Sequence, residues 1–72
     1  MEVRLFATLR ENRGKTAAVP WREGLSGHGL LETLGIKERE VSIFLVNGMH
    51  SKPDVILREN DIVALFPPVG GG

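Results

Sequence analysis

Few residues in this chain of 72 have the types and spacing that chemistry requires. A catalytic site needs a nucleophile beside a base, a pair of carboxylates, or a set of metal ligands. The two histidines, His28 and His50, stand far apart in sequence and outside any motif, so no metal site is expected. Without cysteine there is neither a disulfide nor a thiolate ligand. Gly24, Gly27 and Gly29 do not follow a strand at the spacing of a dinucleotide fingerprint, and there is no Walker loop. Asp54, Glu59 and Asp61 fall in turn-like segments, where carboxylates usually bond to their own backbone. What remains is the run Phe66-Pro67-Pro68-Val69-Gly70-Gly71-Gly72. Two prolines cannot donate to a sheet ladder, so a strand ending at Phe66 leaves the body there. Glycines are the costliest residues to order, so a mobile, thin tail with an unhindered carboxylate on Gly72 is expected. The same glycines also suit a loose end with no role, and only the body of the chain can decide between the two.

The body reads as strand, strand, helix, strand, short strand, strand. Val3, Leu5, Ala7 and Leu9 alternate with Glu2, Arg4, Phe6, Thr8 and Arg10, the period of a half-buried strand. Phe6 breaks an otherwise polar side; it either packs under a neighbouring strand or marks a contact surface. Residues 10–15 form a turn with Gly14 at positive φ, and Thr16–Val19 is a second strand closed by Pro20, completing a hairpin. Trp21 caps one end of the core. Ser26 is a helix N-cap, Leu25 and Leu30 have staple spacing, and Leu30, Leu31 and Leu34 make one apolar stripe. Gly35 supplies a left-handed cap with Ile36 folding back. Gly27 and Gly29 each cost this short helix about 1 kcal/mol relative to alanine, so its first turn should fray. His28 reads as a solvated surface residue.

After a solvated connection over residues 37–40, Val41–Val46 is the most continuously apolar stretch and fits a central strand. Asn47-Gly48 is a strong hairpin signal leading into a short Met49-His50 strand. Val55–Leu57 is a further short apolar segment, and residues 58–61 turn the chain into the last strand, 62–66. One helix on one face of a mixed sheet of four to five strands is an α+β architecture, and the β-grasp is its closed form. The expected division is a domain over residues 1–66 and a Pro/Gly tail over 67–72.

Composition bounds the partners. The length holds one small domain without a second core. Hydrophobic residues, at 42%, are too many for a disordered chain of zero net charge. Nine basic residues against nine acidic ones argue against a nucleic-acid surface. No apolar run approaches the ~20 residues of a membrane span, and a strand pattern begins at once without an export signal, so the default compartment is the cytoplasm.

With these elements in place, the chain resembles the MoaD/ThiS family of ubiquitin-like sulfur carriers, and within it the small subunits of molybdopterin synthase. Residues 5–11 (LFATLRE) look like the family's first strand and its arginine-containing end. Residues 30–36 (LLETLGI) are similar to its helix, Val46-Asn47-Gly48 to its central turn, and residues 60–72 to its final strand and tail. The joined Phe-Pro-Pro-Val and Gly-Gly carry the resemblance; Gly-Gly by itself would not. Gly27, Gly29 and His50 depart from the usual pattern.

The resemblance implies chemistry at the tail, performed by others. An E1-like adenylating enzyme uses ATP to activate the Gly72 carboxylate, and a sulfur donor converts it to a thiocarboxylate. Pro67, Pro68, Val69, Gly70 and Gly71 then thread the active site of a molybdopterin synthase large subunit or an equivalent sulfur acceptor. The chain would not be catalytic alone and would bind no cofactor itself. A carboxylate is a poor electrophile until AMP becomes its leaving group, and glycines pass a channel too narrow for side chains. The prolines lower the ordering cost on docking. Phe6, Arg10, His50 and Phe66 match positions expected to contact partners. Two other destinations stay open: sulfur for thiazole, cysteine or transfer-RNA thiolation, and a ubiquitin-like modifier or plain binding module.

Overall fold

The expected strands form because apolar residues alternate over short runs bounded by turn residues. A computed structural model describes residues 1–68. Strands β1 (Glu2–Leu5), β2 (Thr16–Ala18), β3 (Ile43–Val46), β4 (Met49–His50) and β5 (Ile62–Phe66) make one sheet in the order β2-β1-β5-β3-β4. The β1–β5 pair is parallel and the other three pairs are antiparallel. Helix α1 (Gly27–Leu34) covers one face, its Leu30 and Leu31 sharing a core with Val3, Leu5, Phe44, Val63 and Leu65. This is the β-grasp arrangement. No described helix is long and apolar enough to cross a membrane.

Helix α1 is delimited as its sequence dictates. Ser26 Oγ accepts from Gly29 N at 3.1 Å, and Gly35, at φ 70°, ends the helix while Ile36 N donates to Leu31 O. Replacing Ser26 with alanine removes that cap acceptor and is expected to lower unfolding stability by about 1 kcal/mol, read as an earlier urea midpoint at unchanged slope.

Four expectations need correction. The first strand does not run to Arg10. It stops at Leu5, Ala7 takes φ 53°, and Ala7–Arg10 is a 3-10 helix. Ala7, expected on the apolar side, is exposed, whereas a three-residue turn returns Leu9 to the core, where it is 2% exposed. Period two and a strand followed by a tight turn therefore both bury Val3, Leu5 and Leu9, and they differ at Ala7.

Only Ile43–Val46 of the expected 41–46 strand is extended. It is an interior strand, paired with β5 on one side and β4 on the other, while β5 holds the middle of the sheet between β1 and β3. The second strand likewise ends one residue early, at Ala18, though Val19 N still donates to Met1 O.

The first turn of α1 is not a frayed end. Gly27 N donates to Val55 O at 2.9 Å and His28 N to Pro53 O at 2.7 Å, so two of the orphan donors of the helix start are satisfied by the 53–57 segment. A bridge between Ser26 and Ile56 extends that stitch, and Leu57 is buried below it. Trp21 closes the same end of the core, its Nε1 donating to Leu57 O at 3.0 Å. His28 is exposed, with Nδ1 3.4 Å from Glu38 Oε1. The connection over 37–40 holds a short 3-10 helix, Glu38–Glu40.

Candidate partner-binding face and tail root

The helix covers one side of the sheet, and alternation sends every second side chain to the other. In β5, Val63 and Leu65 are fully buried while Ile62, Ala64 and Phe66 face away. Register aligns Thr16, Arg4, Ala64, Leu45 and His50 in one cross-strand row, with Ile43 opposite Phe66 and Glu2 opposite Ile62. The open face is therefore an apolar strip of Ile43, Leu45, Ile62, Ala64 and Phe66. Arg4 and Glu2 border it, paired at 2.7 Å and both about half exposed, a contact contributing at most about 1 kcal/mol.

Phe6 joins this strip from just beyond β1. Its N donates to Leu65 O at 3.2 Å, continuing the ladder by one residue, and its ring stacks on Phe66 with centroids 4.2 Å apart and planes 6° from parallel. Phe6 thus both packs against a neighbouring strand and stays part of the open face. Arg10 fastens the pair. Its Nε donates to Leu5 O at 2.8 Å, and its guanidinium carbon lies 5.3 Å from the Phe6 ring centroid, within reach of a cation–π attraction. The 3-10 helix that replaced the expected strand end is what folds Arg10 back over Phe6. A straight strand would carry it away.

The tail departs beside this stack. Ser42 N donates to Phe66 O at 2.8 Å, closing the β3–β5 ladder, and Pro67 has no N–H with which to prolong it. Pro67 is half-buried and Pro68 exposed, and both line an open groove of about 880 Å³ shared with Leu9, Arg13, Leu34 and Arg39. Arg13 belongs to the scaffold. Its guanidinium donates to the carbonyls of Leu9, Leu34 and Gly35, tying the 3-10 helix to the end of α1.

Of the residues singled out in the sequence, Phe6, Arg10 and Phe66 come together in one stack with Pro67 and Pro68 next in the chain. His50 lies on the same face at the far edge of the sheet, on β4, and is exposed. Val69, Gly70, Gly71 and Gly72 lie outside the described residues. The strip residues Ile43, Leu45, Ile62 and Ala64 were missed as site candidates. Their signal was present: the alternation that buries Val63 and Leu65 places Ile62 and Ala64 on the uncovered side. Among the described residues no three His, Cys, Asp or Glu side chains converge, and no polar side chain is buried. What the arrangement offers is adhesion: a flat apolar surface, an aromatic anchor and a cation at the root of the tail.

Comparison with known proteins agrees with this geometry. The ThiS family matches the sequence over residues 3–72. No curated protein matches it. Among solved structures, SAMP1 from Haloferax volcanii is 27% identical, with 99% of this chain and 97% of that one covered at a TM-score of 0.78. A Pyrococcus furiosus protein provisionally named molybdopterin converting factor, subunit 1, is 25% identical, with 94% and 95% covered at a TM-score of 0.76. A chain from the protein–protein complex of subunits 1 and 2 of molybdopterin-converting factor from Helicobacter pylori 26695 shares the fold. It is 23% identical, with 99% and 96% covered, at a TM-score of 0.66.

Proposed function

Because the chain belongs to the ThiS family, we propose that it is a sulfur carrier acting through the carboxyl group of Gly72 in molybdopterin assembly. The observation that carries this is the continuity of face and tail. Phe66 is at once the last residue of β5, one half of the ring stack, and the residue before Pro67-Pro68. A partner that grips the apolar strip thereby fixes where residues 67–72 begin, and the prolines narrow where they can go. The likeness to the Pyrococcus protein named for molybdopterin conversion supports the destination of the sulfur.

The chemistry proceeds in two displacements. A Gly72 carboxylate oxygen attacks the α-phosphorus of ATP on an E1-like enzyme, and pyrophosphate leaves. Hydrosulfide, as the sulfur donor, then attacks the acyl carbon, the acyl C–O bond to AMP breaks, and loss of the S–H proton leaves a thiocarboxylate. From a persulfide donor the same attack gives an acyl disulfide, whose S–S bond a thiol then cleaves reductively to the same product. The large subunit of molybdopterin synthase is the acceptor, and its own groups supply the acid and base. This chain contributes recognition and reach: Phe6, Arg10, Phe66 and His50 on the gripped face, and residues 67–71 as the threaded lead.

The test is incubation with ATP, an E1-like activating enzyme and a sulfur donor, followed by intact mass measurement. Replacement of one oxygen by sulfur, mapped to Gly72, is the expected result, and a chain lacking Gly71 and Gly72 should show none. An unchanged mass overturns the proposal. Sulfur transfer to an acceptor other than the molybdopterin synthase large subunit would redirect it to thiazole, cysteine or transfer-RNA thiolation. A second reading follows from the likeness to SAMP1, a small archaeal modifier protein. There the same activated carboxyl group would pass to a lysine. Gly-Gly adducts on lysines of other proteins, without thiocarboxylate, would favour it.

A further inference from the structure

We propose that Asn47 is a site of spontaneous covalent modification, restrained by its hydrogen bonds to Asp61 and Ile62. Asn47 and Gly48 form the two-residue turn between β3 and β4, with φ of 52° and 81°. The Asn47 side chain is held at both ends. Its Nδ2 donates to Asp61 Oδ1 at 2.8 Å, and its Oδ1 accepts from Ile62 N at 3.0 Å. Its backbone N donates to Ile62 O at 2.8 Å, so Asn47 extends the β3–β5 ladder by using its side-chain oxygen as a substitute carbonyl. Asp61 is itself fixed, since its Oδ2 accepts from Arg58 N at 2.8 Å.

The reactive pair is Gly48 N and Asn47 Cγ. Gly48 N attacks Cγ to close a five-membered succinimide, the Cγ–Nδ2 bond breaks, and ammonia leaves carrying the former amide proton of Gly48. Water then opens either ring C–N bond, giving aspartate or isoaspartate. Oxidation states do not change, and water is the sole co-reactant. Glycine at the following position has no Cβ to hinder this attack, and a carbon added at Gly48 would meet nothing within 4 Å. The turn is open to the reaction. Ring closure does, however, require Cγ to swing toward Gly48 N, and both hydrogen bonds of the side chain oppose that swing.

The consequence is local and directional. A carboxylate at position 47 stands against Asp61 Oδ1, the atom to which Nδ2 had donated, so attraction becomes like-charge repulsion. An isoaspartate also lengthens the backbone of the turn and shifts Met49 and His50 against β3. His50 lies at the edge of the open face, so the modification ages one margin of the partner-binding surface.

The test is peptide-resolved mass spectrometry of the full chain after prolonged incubation in neutral buffer, folded and in urea. The urea-unfolded wild-type chain should convert at Asn47, and the folded chain more slowly. Asp61→Ala should speed conversion about tenfold, because one charged hydrogen-bond partner is gone. Asp61→Asn keeps an oxygen able to accept from Asn47 Nδ2 and should fall between. Ser26→Ala weakens the fold at a remote cap and should remain within about twofold of wild type. Equal rates for Asp61→Ala and wild type overturn the proposal, as does equal acceleration by Ser26→Ala, which would signal global opening. An intact Asn47 in the unfolded chain overturns it outright.

Discussion

Replacing Phe66 with alanine is expected to weaken binding of the sulfur-accepting subunit about thirtyfold or more, while the domain stays folded. The magnitude is that of a central aromatic anchor, about 2 kcal/mol or above. Phe66 qualifies because its ring is half-buried on the uncovered face, stacked on Phe6, and next to the residues proposed to enter the partner. The folding cost should be smaller, about 1 kcal/mol, since the loss is chiefly the stack with Phe6. Calorimetric titration of the acceptor subunit, beside a urea melt, separates the two effects. Phe6→Ala should weaken binding less, and the pair of variants should show a coupling of about 0.5–1.5 kcal/mol in folding. Binding unchanged within about twofold for Phe66→Ala would remove the open face from the partner surface. Tail chemistry would then need another route to recognition.

Much of this site was legible because it rests on local rules. Alternation marked Phe6 as an exception, prolines marked the end of β5, and Ser26, Gly35 and Asn47-Gly48 marked the ends of elements. What sequence could not supply were relations between segments distant along the chain. The stack of Phe6 on Phe66 needs the parallel β1–β5 pairing, which joins residues 60 positions apart. Arg10 reaches Phe6 only because the chain turns at Ala7, and period two is blind to that turn when Leu9 is buried either way. Asp61 was readable as a turn carboxylate, but its grip on Asn47 depends on the 58–61 turn abutting the β3–β4 hairpin.

The same limit sets opposite fates for two glycines that helix propensity treats alike. Gly27→Ala and Gly29→Ala should each favour the helix by up to about 1 kcal/mol. At Gly27 a Cβ would lie 2.5 Å from Pro53 O and 3.0 Å from both Phe44 Cζ and the Pro53 carbonyl carbon. That oxygen cannot yield cheaply, because it accepts from His28 N at 2.7 Å, and Phe44 is buried in the core. Overpacking against backbone should outweigh propensity, for a net loss of about 2 kcal/mol and a Tm lowered by roughly 10 °C. At Gly29 the nearest atom is Leu25 Cδ1 at 3.2 Å, the end of a side chain, followed by Ser26 Oγ at 3.6 Å. A small shift of that methyl group suffices, so Gly29→Ala should gain about 0.5 kcal/mol. Thermal melts of the two variants decide it by sign. If both stabilise, the 53–57 segment is not seated on the helix start, and Gly27 is only the propensity defect its sequence suggests. If Gly27→Ala alone is destabilised, that glycine is the close-approach residue that lets the 53–57 segment close the core beneath the helix.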